Sequence, residues 1–217
     1  SSPRWRTTRS SATAPGNDRR LFVIERATGV VKELNSEKGY PLDPRFSPDG
    51  RSIACVRENE LFVIDIASGK ETQLTSGATA TLTHATAEFV AQEEMDRREG
   101  YWWSPDSKRI AYQETSTEGM EVMYIADAMY PERAPQSWPY PRPGKKNAEV
   151  RLGIIPAAGG ETRWVSWDRE RYPYLAKVDW KDSAPLTILV QNRKQTEESL
   201  FAVDPETGST ALLLTES

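Results

Sequence analysis

Glu93 and Glu94 stand side by side in the run from Glu88 to Gln113, EFVAQEEMDRREGYWWSPDSKRIAYQ, and two adjacent carboxylates favour one kind of chemistry. Neighbouring residues on a helix diverge by about 100°, so both side chains can approach one small cation from two sides. A free α-amino group is such a cation. Its three N–H donors can be divided between two carboxylates in charge-assisted hydrogen bonds of about 1.5 to 3 kcal/mol each. An internal peptide nitrogen carries no charge, so a site of this kind selects chain ends. A metal is a poorer fit, because two adjacent carboxylates and the single histidine, His84, do not make a coordination set. A plainer reading also exists. Ala87 to Arg98 has helical propensity, Phe89, Val90 and Met95 can face a sheet, and Glu93 with Arg97 and Glu94 with Arg98 would form ordinary i,i+4 ion pairs.

Holding such a pair in place requires a rigid frame, and the rest of the chain repeats in a way that supplies one. Four segments share a register of a leucine, a glycine eight residues later, and a Leu or Val five residues further on. They are Leu21, Gly29 and Leu34; Leu61, Gly69 and Leu74; Leu152, Gly160 and Val165; and Leu200, Gly208 and Leu213. Each reads as a β-hairpin whose turn needs a residue tolerant of positive φ. Before the second and third lie Phe46-Ser47-Pro48-Asp49-Gly50 and Trp103-Ser104-Pro105-Asp106-Ser107, each followed by an apolar strand, and Val178 to Asp182 is a degenerate copy before the fourth. Two hairpins per unit make four antiparallel strands. The 40-residue spacing from Leu21 to Leu61 matches one blade of a β-propeller. The fold class is therefore all-β, with roughly four blades, and a propeller closes on four to eight. Such a stack is expected to be part of a longer protein.

The 91 residues between Leu61 and Leu152 exceed one blade, which leaves two inserts. One spans residues 76–100 and carries the glutamates. The other spans residues 126–148, is rich in Pro, Tyr and Trp, and is predicted to be an extended surface arm. Residues 1–20 read as an irregular segment.

A formal charge of −4 and a pI near 5.3 argue against general affinity for nucleic acid. No run approaches the roughly 20 apolar residues of a membrane span. With one cysteine, Cys55, there is no internal disulfide, and its place in the run IACV reads as a buried small hydrophobe. Trp102 and Trp103, on a predicted strand, should pack on opposite faces. Ala157 to Glu161 lacks the strand-to-helix context of a phosphate loop and reads as a hairpin turn. His84 reads as a surface or packing residue, and the basic residues from Arg4 to Arg20 and at Lys145-Lys146 as solvated.

The run AEFVAQEEMDRREGYWWSPDSKRIAY, followed by YPRPGKKNAEVRLGII, resembles the N-terminal β-propeller domain of the dipeptidyl peptidase IV family of serine peptidases. It is most similar to the dipeptidyl peptidase 8/9-like and bacterial branch, from about Arg45 to Gly208. The resemblance implies about half of an eight-bladed propeller over residues 1–217, with a catalytic α/β-hydrolase domain as a partner outside this chain. It implies that Glu93 and Glu94 hold the free N-terminus of a peptide substrate, so that dipeptides with Pro or Ala second are released. It further implies that Met129 to Lys146 form an arm contributing to a homodimer, and that an arginine, Arg6 or Arg9, contacts the substrate carbonyl. No cofactor or metal is implied. The family's Gly-x-Ser-x-Gly nucleophile motif is absent, so this chain would anchor and gate but not cleave. The alternative is a non-catalytic propeller acting as a protein-binding module.

Overall fold

The structure is a computed structural model that describes residues 5–8 in main chain, 20–34 and 39–217. Antiparallel pairing dominates, as the hairpin register requires. The first sheet joins β1 (Trp5–Thr8), β2 (Leu21–Glu25) and β3 (Val31–Leu34). β1 lies within the segment expected to be irregular and pairs residue for residue with β2. The second sheet is a meander of β4 (Leu42–Phe46), β5 (Ser52–Arg57), β6 (Glu60–Asp65) and β7 (Glu71–Gln73). The third contains β8 (Leu82–His84), β9 (Tyr101–Trp103), β10 (Arg109–Ser116), β13 (Glu149–Pro156) and β14 (Arg163–Trp164). A short helix, α1 (Phe89–Glu93), lies between β8 and β9, and a two-stranded ribbon, β11 (Val122–Ile125) with β12 (Gln136–Pro139), lies between β10 and β13. The fourth sheet is a meander of β15 (Tyr174–Asp179), β16 (Leu186–Gln191), β17 (Glu198–Val203) and β18 (Thr210–Glu216).

All four Leu-to-Gly segments fold as hairpins, and Gly29, Gly69 and Gly208 take φ of 74 to 75° at their turns. The Ser-Pro-Asp turns share one hydrogen-bond pattern. Ser47 Oγ donates to Asp49 Oδ1 at 2.6 Å, and that oxygen also accepts from the Arg51 N–H. Ser104, Asp106 and Lys108 repeat the arrangement between β9 and β10. In both turns these bonds hold the aspartate below its ordinary pKa, for Asp49 against an opposing effect of burial.

Three cores lie between successive sheets, and the period-two alternation of the strands builds them. Along β5, Ile53 and Cys55 face the first sheet, while Ala54 and Val56 pack against Tyr101 and Ile110 of the third. Cys55 is fully buried, and burial pushes its thiol up to about 11. Trp103 joins this second core, whereas Trp102 packs into the core shared by the third and fourth sheets, with Leu152, Leu175 and Ile188. Among the described residues, the fourth sheet buries one face more completely than the other. Leu186, Ile188 and Val190 are buried, Thr187, Leu189 and Gln191 between them are half-buried, and Leu212 to Leu214 on β18 are exposed.

Candidate functional site

β8 and β9 are two halves of one edge strand. β10 pairs with both in a single ladder, Glu114 opposite His84 and Tyr112 opposite Tyr101. Between those pairs Gln113 accepts the Ala85 N–H on its carbonyl at 2.7 Å and donates its own N–H to the Gly100 carbonyl at 2.8 Å. Residues 86–99 thus leave and re-enter the sheet at one rung. That neck is tight. A Cβ on Gly100 would stand 2.3 Å from the carbonyl carbon and oxygen of Ala85, so a larger residue there would have to displace main chain.

Inside the excursion, buried polar groups lie beside the buried apolar side chains of Ala87, Val90 and Ala91. Glu88 caps α1, accepting from the N–H groups of Val90 at 2.5 Å and Ala91 at 3.0 Å. Burial raises its pKa, against the pull of Arg97 and of those two N–H donors. Arg97, itself 6% exposed, closes the excursion from the other side. Its Nη2 donates to Gln113 Oε1 at 2.7 Å and to the Leu175 carbonyl on β15 at 2.8 Å, and its Nη1 donates to the Glu99 carbonyl at 2.6 Å. Burial lowers Arg97 to about 10, with Glu88 and Glu99 acting against it.

These contacts correct the helix expected over Ala87 to Arg98. The helical segment is only Phe89–Glu93, with Glu94 as its C-cap, and Asp96 then turns the chain at φ 49°. Arg97 is drawn inward by several buried hydrogen bonds, each worth more than a surface ion pair of a few tenths of a kcal/mol. The pairs Glu93–Arg97 and Glu94–Arg98 therefore do not form.

Both glutamates are exposed. Glu94 borders an open cleft of about 690 Å³ between the excursion and the fourth sheet, with Arg45, Arg98, Glu99, Lys177 and Gln195 among its other walls. Glu94 Oε2 accepts a 2.6 Å hydrogen bond from Gln195 Nε2. Glu93 ends the helix beside it and is not part of the cleft wall. Among the described residues neither carboxylate is paired with a cation. Arg45, by contrast, is taken: it bonds Glu99 at 2.8 Å and Asp43 at 2.9 Å. Burial opposes the charged guanidinium, but those two carboxylates outweigh it and raise its pKa. The side chains of Arg6 and Arg9 lie outside the described residues.

His84 occupies the last position before the neck and is buried rather than superficial, at 3% exposure. Its Nδ1 lies 2.8 Å from Glu60 Oε2 of the second sheet, a charge contact without hydrogen-bond alignment, and its Nε2 lies 3.2 Å from Glu114 Oε2. Burial works against the imidazolium, yet the Glu114 hydrogen bond and the Glu60 charge prevail and raise its pKa. Arg151 completes the cluster on Glu114 at 2.5 Å. This is a structural ion cluster joining two sheets. Among the described residues no group of three or more His, Cys, Asp or Glu side chains is arranged to hold a metal.

A family model described as the dipeptidyl peptidase IV (DPP IV) N-terminal region matches residues 7–217. The chain belongs to the dipeptidyl peptidase IV family. Among its relatives, dipeptidyl peptidase 8 of Mus musculus is 25% identical over 195 residues, covering 76% of this chain and 22% of that protein. Inactive dipeptidyl peptidase 10 of Rattus norvegicus is 25% identical over 194 residues, 84% of this chain and 24% of the relative. The crystal structure of Porphyromonas gingivalis dipeptidyl peptidase 4 superposes with a TM-score of 0.79 at 25% identity, over 91% of this chain and 29% of that one. This dipeptidyl peptidase IV family chain thus spans about a quarter of the length of the relatives it matches. Its all-β, antiparallel architecture is that of the family's N-terminal domain.

Several residues that build the site carry no obvious signal in the sequence. Gln113 is polar yet fully buried in the run IAYQETS, and that mismatch was the available clue. Gln195 has no motif at all.

Proposed function

We propose that this chain is the substrate-anchoring and gating portion of a dipeptidyl peptidase, with Glu93 and Glu94 holding the α-amino group of a peptide. A single observation carries the reading. Glu94 faces an open cleft with no cation on it among the described residues, although Arg45, Arg98 and Lys177 share the same walls. Arg45 is already neutralised by Asp43 and Glu99, so Glu94 is left as a carboxylate available to an incoming ammonium. In this proposal the chain forms about half of an eight-bladed propeller, and the less buried face of the fourth sheet packs on the next blade. A separate α/β-hydrolase domain supplies the nucleophile, and the Pro-rich ribbon takes part in a homodimer. Dipeptides with Pro or Ala in the second position are the expected products.

The test is hydrolysis of a Gly-Pro chromogenic substrate by the full-length protein, wild type against Glu93→Gln/Glu94→Gln. Loss of two charge-assisted contacts should lower kcat/KM by about 100-fold or more in a folded variant. Acetylating the substrate amine should abolish turnover, and affinity should weaken above pH of about 8 as the amine loses its proton. A double variant with full activity overturns the anchor. A second reading, a non-catalytic binding propeller, is favoured by the similar match to a relative named as inactive, over 84% of this chain. A folded, full-length wild type that fails to turn over any dipeptidyl substrate selects it.

A further inference from the structure

Gln195 reaches Glu94 from another sheet, 101 residues away in sequence. It sits in the turn between β16 and β17, where Asn192 organises the main chain. The Gln195 N–H donates to the Asn192 carbonyl at 3.0 Å, and the Thr196 N–H donates to Asn192 Oδ1 at 3.0 Å. Gln195 itself takes φ 54°, a conformation uncommon for a residue with a Cβ. The turn is also tied to the Pro-rich insert, because Arg193 donates to the Lys145 carbonyl. Of three consecutive long polar side chains, Arg193, Lys194 and Gln195, the neutral one meets the carboxylate.

Resting on the assignment of Glu93 and Glu94 as the amine anchor, we infer that Gln195 is a positioning residue for that anchor, fixing Glu94 from across the cleft. A carboxylate has about four lone-pair sites, so one amide hydrogen bond leaves the remaining sites for an ammonium. An amide also orients without neutralising, whereas a lysine or arginine at the same place would cancel the charge the substrate needs. An exposed glutamate samples many rotamers, and holding one in advance removes an entropic cost from binding.

The experiment is a double-mutant cycle in the full-length protein, using Q195A, E94Q and the combined variant, with the Gly-Pro chromogenic substrate and inhibition by the free dipeptide Gly-Pro. Q195A should raise KM and the inhibition constant about five-fold while kcat stays within about two-fold, as expected for one hydrogen bond to an exposed charged group. In the E94Q background the same substitution should have no further effect, because the residue acts through Glu94. Q195E, which sets a second carboxylate against Glu94, should be worse than Q195A. If E94Q is costly and Q195A is silent, or if their effects multiply, the positioning role is overturned and the anchor survives. If E94Q is itself silent, the anchor reading fails and this inference falls with it.

Discussion

Two insertions leave the third sheet, and they are held in opposite ways. The excursion between β8 and β9 is fastened by buried polar bonds: Glu88 on the helix N-terminus, Arg97 on Gln113 and Leu175, and Gln113 on both strands of the neck. The ribbon between β10 and β13 stands on the surface, with Tyr124, Ile125, Met129 and Tyr130 exposed, and its stem is closed by an Arg142–Glu121 pair at the solvent rim. They meet where Phe89 of α1 lies against Tyr140, with ring centroids 4.9 Å apart. The first design sacrifices chain freedom for placement of two carboxylates. The second keeps reach, and its exposed aromatic tip suits contact with another surface.

Substitutions should separate the two designs sharply. Arg97→Ala removes a buried cation and strips partners from the Gln113 side chain and the Leu175 carbonyl, so it should cost about 3 to 5 kcal/mol, read from the denaturant midpoint. A loss below about 1 kcal/mol would mean that the excursion is not fastened there. Gly100→Ala should come next, at about 1 to 3 kcal/mol, since the neck must open to admit the methyl group. Its signature would be the excursion opening locally ahead of global unfolding.

The His84 cluster gives a smaller effect that depends on pH. Because its folded pKa lies above the free value of 6.5, its stabilising contacts with Glu60 and Glu114 are complete below that pH and decline as pH rises through the raised value. Wild type should therefore lose a few degrees of Tm between pH 6 and 9 that His84→Gln does not lose. A wild type whose Tm rises relative to the variant over that range contradicts the cluster. Arg142→Ala, at the stem of the ribbon, should leave Tm unchanged within error. A clear drop there would erase the contrast between the two insertions.

The repeating frame was legible in the sequence because hairpins are local. Glycine at a positive-φ turn and alternating apolar residues specify the four Leu-to-Gly hairpins without help from distant segments, and Ile53 to Val56 sort to the two faces by strand geometry alone. The dipeptidyl peptidase family was legible from the Glu-Glu, Tyr-Trp-Trp run. The length of the helix was not, since local propensity favoured continuing past Glu93 while the competing partners of Arg97 lie on β10 and β15. Of the two readings of His84, surface or packing, the structure selects packing, and its ionic partners were not legible for the same reason. Its carboxylate neighbours come from strands 24 and 30 residues away, a separation that no local pattern encodes.

The interrupted edge strand has a further consequence, for how this domain can change over evolutionary time. β10 pairs with His84 and Tyr101 in one uninterrupted register, so the main-chain ladder does not itself depend on how many residues are spliced between Ala85 and Gly100. Insertions, deletions or a transplanted segment at that rung would leave the cores on both sides untouched, provided the two main-chain bonds to Gln113 persist and the Gln113 side chain and Leu175 carbonyl keep a donor in place of Arg97. The segment that carries Glu93 and Glu94 is in this sense a cassette, able to diversify while the three cores that carry it keep their packing.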